Sequence, residues 1–392
     1  MRWFTCLALA ALLGCQSTAL TSARLYLQQG ETAKAREQLL KAAELTPNNP
    51  EVYLELARTY GLTGEFRAMA AALDQCARLA PKPKLAQEAG DMRRHYWAVE
   101  YNRGVTLATA TQPDLPSAKA AFQSAIAIDS TAQQAWRNLA FAQYQLQERS
   151  DAIASYERLV TLAPADTAVL GNLSALCLQE ARYDQAIGHL ERLATLTPRD
   201  FRCQLNLGIA RERAAADAYR RAAEVAGDTA VARCIRETFA EHGQPLDDAV
   251  QVFDRVSDQA APSCRSLVNQ GVALERSAEA AYRAAVELAP DAPAAHLGLG
   301  GFLYQQGRYE GARDAYAKAM VLAPDDTDAR YNLAMTYLQL DDDSHACALL
   351  EKLSADTPDN GSVWRQLSII YARMDRVADA QTAEARAREL GQ

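Results

Sequence analysis

The stretch Pro293–Asp326 reads PAAHLGLGGFLYQQGRYEGARDAYAKAMVLAPDD and decides the fold of this chain. Two segments with apolar residues at helical spacing flank Gly307, and Pro324 closes the second segment. Glycine favours a turn, and proline ends a helix because it cannot donate the next backbone hydrogen bond. The stretch therefore predicts a helix–turn–helix unit.

Small and large side chains are distributed in this unit as close packing requires. Gly300 and Ala312 let the two helices approach each other, and Leu299, Tyr309 and Tyr316 fill the space between them. A helix pair this short cannot bury its apolar faces alone, so it needs further copies stacked on it. The 34-residue period resembles the tetratricopeptide repeat. That resemblance implies an all-α fold, a right-handed solenoid of stacked helix–turn–helix repeats.

Prolines recur at the same spacing elsewhere in the chain. Those separated by 34 residues are Pro47 and Pro81, Pro164 and Pro198, and Pro290, Pro324 and Pro358. The resemblance covers about residues 16–392, or about eleven repeats, of which about eight match well. A shared period over this length is a strong indication of fold and a weak one of function, since repeat arrays serve as scaffolds.

Three array segments follow from the spacing: residues 15–200, a divergent centre at 201–292, and residues 293–392. In the first, Lys84–Tyr96 is additional and compatible with a helix that begins after Gly90, with Asp91 as a potential N-cap. The last helix is polar enough to cap the array.

The divergent centre contains two shortened copies, NLGIARERAAADAYRRAAEVA from Asn206 and NQGVALERSAEAAYRAAVELA from Asn269. In neither copy does glycine or proline mark a turn. Either the first helix is short and the turn is tight, or the two helices are fused. Residues 230–263 read as a weak full-length copy between them. We expect the missing turns to loosen the packing, so that amide hydrogens exchange earlier at 201–292 than at 293–392.

The N-terminal sequence Leu12-Leu13-Gly14-Cys15 resembles a bacterial lipobox, and it follows a short apolar run. The resemblance implies that residues 1–14 are a signal peptide and that Cys15 carries the lipid. Gln16 implies outer-membrane rather than inner-membrane retention, with the protein facing the periplasm of the bacterial cell envelope. The alternative is an ordinary secretory signal with an incidental cysteine.

Composition argues against several classes of function. The formal net charge is −8 and the pI is about 5.3, so nucleic acid is not an expected partner. No metalloprotease, phosphate-loop, nucleophile-elbow or Cys-x-x-Cys motif occurs. We therefore predict no catalytic residues, no metal site, no cofactor and no small-molecule substrate. The acidic run at 341–343 is better explained by helix capping than by calcium binding.

The cysteines beyond Cys15 fall into two groups. Cys76, Cys177 and Cys347 occupy places that repeats fill with small packing residues, so we expect buried thiols there. Export would permit disulfides, and the remaining three cysteines lie near the starts of first helices in the divergent centre. These are Cys203, Cys234 and Cys264, of which two either form a bridge or stay free.

Asparagine recurs at one equivalent place in six first helices, although it is a mediocre helix former. The six are Asn102, Asn138, Asn172, Asn206, Asn269 and Asn332. They either bond locally between adjacent helices, or form a row of amides that pairs with the backbone of an extended protein segment. Three tyrosines could add apolar contact: Tyr144, Tyr304 and Tyr331. Ile235, Gly298 and Gln366 interrupt the row.

The leading functional hypothesis is a non-enzymatic scaffold, held at the membrane by its N-terminal lipid, that binds protein segments on the concave face. A narrower alternative is an assembly or pilotin-like factor for an envelope machine such as a pilus or secretion system. Its partners would then be subunits of that envelope complex. An enzyme is the rival from another class, and no nucleophile–base pair supports it.

Overall fold

A computed structural model describes residues 18–80, 83–227, 229–240 and 246–391. Within these ranges every regular element is a helix and no strand occurs. The predicted fold class is confirmed: the chain is an all-α array of stacked helix–turn–helix units. It forms two compact units, residues 1–169 and 170–392. The predicted signal peptide and Cys15 lie outside the described residues.

The N-terminal unit is built from consecutive helix pairs joined by short turns. Its helices are α1 (18–28), α2 (Thr32–Leu45), α3 (Pro50–Thr63), α4 (Phe66–Leu79), α5 (Pro83–Ala108), α6 (Leu115–Ile128), α7 (Gln133–Gln145) and α8 (Arg149–Leu162). The division between the units falls within the next helix, α9 (Thr167–Gln179).

The C-terminal unit begins and ends with regular pairs. After α9 come α10 (Tyr183–Leu196), α11 (Phe201–Ala226), α12 (Ala230–Ile235), a π-helical turn (Arg236–Ala240), α13 (Leu246–Asp254), a 3-10 turn (Ser257–Gln259) and α14 (Pro262–Leu288). The remaining helices are α15 (Pro293–Gln305), α16 (Tyr309–Leu322), α17 (Thr327–Gln339), α18 (Asp343–Asp356), α19 (Gly361–Arg373) and α20 (Val377–Glu389).

A left-handed residue ends the first helix of each regular pair. The residues with φ between 55° and 75° at these turns are Gly30, Gly64, Gln147, Ala181, Gly307, Asp341 and Asp375. The 34-residue interval separates Gly30 from Gly64, Gln147 from Ala181, and successive members of the set Gly307, Asp341 and Asp375, so the sequence period is a period of backbone conformation. A left-handed residue at the helix C-terminus lets the chain reverse while satisfying the last carbonyl groups.

We expect Ala181→Gly to stabilise the protein by about 0.5–1 kcal/mol. Alanine is at φ 55° there, where a Cβ costs about 1–2 kcal/mol, and the greater freedom of glycine in the unfolded chain offsets part of the gain. Urea unfolding followed by circular dichroism measures the effect. Ala175→Gly, on the exposed surface of α9, is the control and should destabilise instead. Equal losses in both variants would contradict the assignment of strain to Ala181.

Glycines opposite aromatic rings allow the paired helices to approach, as predicted from the repeat unit. A Cβ on Gly300 would lie 2.8 Å from Cδ1 of Tyr316, and one on Gly104 would lie 2.6 Å from Cε1 of Phe122. Tyr316 and Phe122 are both buried. Each ring therefore fills the space that its glycine leaves in the partner helix.

The additional segment near residue 90 differs from the prediction. Helix α5 begins at Pro83 and runs without a break to Ala108, so Gly90 and Asp91 lie inside it. Asp91 is therefore not an N-cap; its carboxylate pairs with Arg94 one turn later. The longer α5 packs against α6 to form one irregular helix pair.

The divergent centre contains two continuous helices, which settles the choice between a tight turn and fusion. Helix α11 passes through Arg213 and Ala214, and helix α14 passes through Arg276 and Ser277. No residue with positive φ occurs at either place. Without a left-handed residue, each first helix continues directly into what would have been its second helix.

The two long helices exchange their packing partners. In the regular repeat at 293–326 the Tyr316 ring of the second helix covers Gly300 of its own first helix. In the centre, Gly208 and Tyr219 lie on one continuous helix, about 16 Å apart along its axis. Tyr219 instead packs on Gly271 of α14, and Tyr282 packs on Gly208 of α11. The tyrosine hydroxyls also cross over, donating to the other helix at Glu275 (2.7 Å) and Glu212 (2.6 Å).

Residues 214–276 are consequently an insertion within one repeat. The first half of α11 and the second half of α14 continue the array, because Gly298 of α15 meets both Leu205 and Tyr282. The other two halves enclose a separate core with α12 and α13, whose buried members include Phe239 and Phe253. The expected weak repeat at 230–263 is therefore absent, and its place is taken by two short helices.

The same arrangement corrects the expectation of loose packing in the centre. Tyr219 is 1% exposed and Tyr282 is 3% exposed, and each is hydrogen-bonded to a carboxylate of the opposite helix. The absent turns produce longer helices with a larger mutual interface rather than a poorer one. Earlier hydrogen exchange at 201–292 than at 293–392 stays a prediction, but loose packing is no longer a reason to expect it.

Six cysteines lie in the described part of the chain, and none of them is in a disulfide bond. Cys76, Cys177 and Cys347 are buried, as predicted. Cys203 and Cys264 are also buried, and burial raises the pKa of both thiols. Cys234 is half-buried. No bridge links the three cysteines of the centre in this structure.

Candidate peptide-binding face

Helix α7 presents an amide and two aromatic rings to solvent. Asn138, Phe141 and Gln145 are spaced three and four residues apart and so share one face of the helix. Phe141 is 50% exposed, and the predicted contact residue Tyr144 is 37% exposed. Aromatic residues are enriched where proteins bind one another. Sequence reasoning missed Phe141, although its position one turn after Asn138 was a usable signal.

The amide of Asn138 already has a partner in a neighbouring helix. Its Nδ2 donates to the hydroxyl of Tyr101 on α5 at 3.2 Å. The Tyr101 ring is stacked on Trp97, with 4.8 Å between ring centroids and 9° between planes. Asn138 therefore makes a local bond between adjacent helices, which is one of the two alternatives for this row.

The remaining asparagines differ in their surroundings. Asn102, Asn172 and Asn206 are exposed on α5, α9 and α11, and Asn332 is half-buried on α17. Asn269 is exposed on the first half of α14, which belongs to the insertion and packs against the second half of α11. The helix that follows Asn206 in the C-terminal array is thus α15, where Gly298 occupies the equivalent place.

Two of the three predicted tyrosines are part of the packing. Tyr304 is half-buried and meets the Tyr309 ring edge-on, with 5.4 Å between centroids. Burial raises the pKa of the Tyr304 hydroxyl. Tyr331 is half-buried against the core formed by α17 to α20. Tyr144 is therefore the most exposed of the three.

On α3 the place of the asparagine is taken by a charged residue. Glu55 precedes the turn residue Gly64 by the same interval that separates Asn138 from Gln147. Glu55 is 5% exposed and accepts from Arg24 at 3.0 Å and from Arg58 at 2.8 Å. These side chains line a cavity of about 620 Å³. The recurrence of asparagine does not reveal that Glu55 occupies this place, but its distance in sequence from the turn residue Gly64 does.

The described residues contain neither a metal-binding cluster nor a membrane-spanning helix. No group of three or more His, Cys, Asp or Glu side chains that could hold a metal ion was found among them. None of the helices in the same part of the chain combines the length and apolar character needed to cross a membrane.

Comparison with protein families identifies the repeats. Five tetratricopeptide-repeat models match the chain, over residues 23–64, 50–83, 134–165, 275–327 and 303–368. The chain carries tetratricopeptide repeats. Their fold is that of protein–protein interaction scaffolds, and such scaffold families are generally non-enzymatic. No curated protein matches the chain in a sequence comparison.

Solved structures with similar folds cover part of the chain. MamA from Desulfovibrio magneticus is 16% identical, with a TM-score of 0.39, over 57% of this chain and 94% of that chain. A thermophilic tetratricopeptide-repeat protein of Thermus thermophilus is 18% identical, with a TM-score of 0.39, over 62% and 100% of the two chains. Pseudomonas aeruginosa PilF is 15% identical, with a TM-score of 0.40, over 72% and 98%.

Proposed function

We propose that this tetratricopeptide-repeat protein is a membrane-anchored scaffold that binds partner protein segments on the face of its first helices. The observation that carries the proposal is the exposed surface of α7, where Phe141 and Tyr144 stand beside Asn138. An amide supplies one donor and one acceptor, and the exposed rings supply apolar contact area at low entropic cost. A segment with extended backbone matches this combination.

The proposed anchor is the lipid on Cys15, and the proposed location is the outer membrane facing the periplasm. The support is the sequence Leu12-Leu13-Gly14-Cys15 together with Gln16. A lipidated chain needs no membrane-spanning helix, because each buried methylene of an acyl chain adds about 0.8 kcal/mol to membrane binding. The assembly-factor alternative shares this anchor and differs only in the identity of the partner.

The anchor predicts that Cys15→Ala releases the protein from membranes or leaves it unprocessed. Acylation requires the thiol and the new amino group, so neither cleavage before residue 15 nor lipid attachment should occur. Fractionation followed by mass spectrometry of the N-terminus measures both outcomes. Cys76→Ala is the control, since that thiol is buried in the core, and it should leave fractionation unchanged. Membrane association of the Cys15→Ala protein equal to that of the wild type would contradict the anchor.

The binding face predicts that the combined replacement of Asn138, Asn172 and Asn206 by Ala weakens partner binding. Each lost hydrogen bond should cost about 0.5–1.5 kcal/mol of binding free energy. Helicity should hardly change, because alanine is the better helix former. A partner captured from membranes by the acylated protein and identified by mass spectrometry supplies the ligand for calorimetry.

Asn48→Ala is the matched control, because Asn48 is exposed in the turn after α2, away from the first-helix face. Its affinity should equal that of the wild type. An unchanged affinity in the triple variant would assign the asparagines to packing between adjacent helices, in bonds like the one from Asn138 to Tyr101.

A further inference from the structure

A groove of about 760 Å³ lies in the N-terminal unit between the second helices of two successive repeats. Its floor is α7, which contributes Trp136, Leu139 and Gln143, and its walls are α6 and α8. The floor residues are spaced three and four apart, and they lie on the side of α7 opposite to Asn138 and Phe141. The groove is therefore separate from the first-helix face.

One amide among the groove-lining side chains uses only its oxygen in a hydrogen bond to the protein. Gln143 is 6% exposed and lines the groove. Its Oε1 accepts from Ser155 Oγ at 2.7 Å, whereas its Nε2 has no hydrogen-bond acceptor among the described residues. Nε2 is not among the enclosed polar atoms that lack a partner, so it is accessible from the groove and available to a ligand that offers an acceptor.

Two arginines at the groove also lack ion-pair partners. Arg67 and Arg158 line the groove, and neither makes a salt bridge within the described part of the chain. Most other arginines of this unit are paired with carboxylates: Arg24, Arg36, Arg58, Arg93, Arg94, Arg103 and Arg137. Asp151 is the one acidic side chain among the lining residues of this groove. The groove thus carries an excess of donors and of positive charge.

The floor adds an apolar surface beside these donors. Trp136 is half-buried, and its Nε1 donates to the carbonyl of Ser130 at 2.9 Å, so its orientation is fixed. Leu139 and Ile126 lie against the same groove. Tryptophan and arginine are the residues that most often dominate binding energy at protein interfaces.

We propose that this groove is a second binding site, which takes an acidic peptide segment with an apolar side chain. The carboxylates pair with Arg67 and Arg158, in the planar geometry that guanidinium favours. Gln143 donates to a carbonyl of the segment, and the apolar side chain lies on Trp136. The volume is within the range of ligand clefts. This site does not depend on the first-helix face.

Fluorescence anisotropy tests the proposal with a labelled peptide that alternates glutamate and leucine, against the same peptide with glutamine in place of every glutamate. The acidic peptide should bind the full-length protein saturably, and the neutral one should bind at least about tenfold more weakly. The double variant Arg67→Gln, Arg158→Gln should lose affinity by a similar factor. Gln143→Glu should abolish binding, because it keeps the acceptor for Ser155 and replaces the donor with a negative charge.

Matched controls separate this site from general charge effects and from the first-helix face. Arg78→Gln removes one positive charge from an exposed position on α4 outside the groove and should leave affinity unchanged. Phe141→Ala, on the opposite side of α7, should also leave it unchanged. Absence of saturable binding to the wild type would overturn the proposal. Equal binding of the neutral peptide, or of the acidic peptide to the double variant, would overturn it as well.

Discussion

Tyr219→Ala is expected to lower the free energy of unfolding of the C-terminal unit by about 3–5 kcal/mol, the range for removing a large buried aromatic ring. Tyr219 is 1% exposed, lies on Gly271, and stacks on Phe239 with 4.5 Å between ring centroids. Its hydroxyl also donates to Glu275, which is 7% exposed. The variant therefore leaves both a cavity and a buried carboxylate with one donor fewer.

Urea unfolding monitored by circular dichroism, with hydrogen exchange to localise the loss, measures this effect. Tyr282→Ala should cost a similar amount, because Tyr282 has the equivalent contacts with Gly208 and Glu212. Tyr144→Ala is the control, since its side chain is exposed and its removal should change stability by at most about 0.5 kcal/mol. If Tyr219→Ala were as mild as Tyr144→Ala, the exchanged packing of α11 and α14 would be wrong.

The second large effect is expected from excising residues 214–276 and joining Arg213 to Ser277 through the five-residue turn Gln306–Glu310 copied from the regular repeat. The product contains one regular 34-residue repeat in place of the insertion. We expect it to fold, because Tyr282 already packs on Gly208 and Gly298 already meets both long helices. The insertion core, which includes Phe239 and Phe253, is removed as a whole.

Circular dichroism and hydrogen exchange on the shortened protein test this expectation. Helix content per residue should be retained, and α15 to α20 should keep their protection. Joining Arg213 directly to Ser277 without a turn is the control, and it should disrupt the repeat because no left-handed residue would then reverse the chain. A shortened protein with the turn that is molten or insoluble would contradict the assignment of residues 214–276 as an insertion.

Only part of the candidate sites could be predicted from the sequence. The recurrence of asparagine predicts a binding face on α7, α9 and α11, and it gave no sign that Asn138 bonds to Tyr101, which is 37 residues away in the chain. The groove over Gln143 was not predicted. Its lining residues come from four helices, and they look like ordinary surface and packing residues until the helices are placed side by side.

The sequence by itself determined the features that lie within a single repeat. The 34-residue period, the turn residues such as Gly64 and Gly307, and the pairing of Gly300 with Tyr316 all act within one repeat, and a single repeat is short enough for spacing to specify. The same holds for the absence of a turn at Arg213 and Arg276. Local backbone preferences and neighbouring side chains decide each of these features.

Only the tertiary structure decided which helix each buried tyrosine of the divergent centre packs against. Once α11 and α14 are continuous, Tyr219 cannot reach Gly208, and the free energy of burying its ring is recovered on Gly271, 52 residues further along the chain. Hydrophobic burial is non-directional and does not specify a sequence partner. The partner is set by which small residue a rigid helix brings within reach, and that depends on the whole assembly of helices.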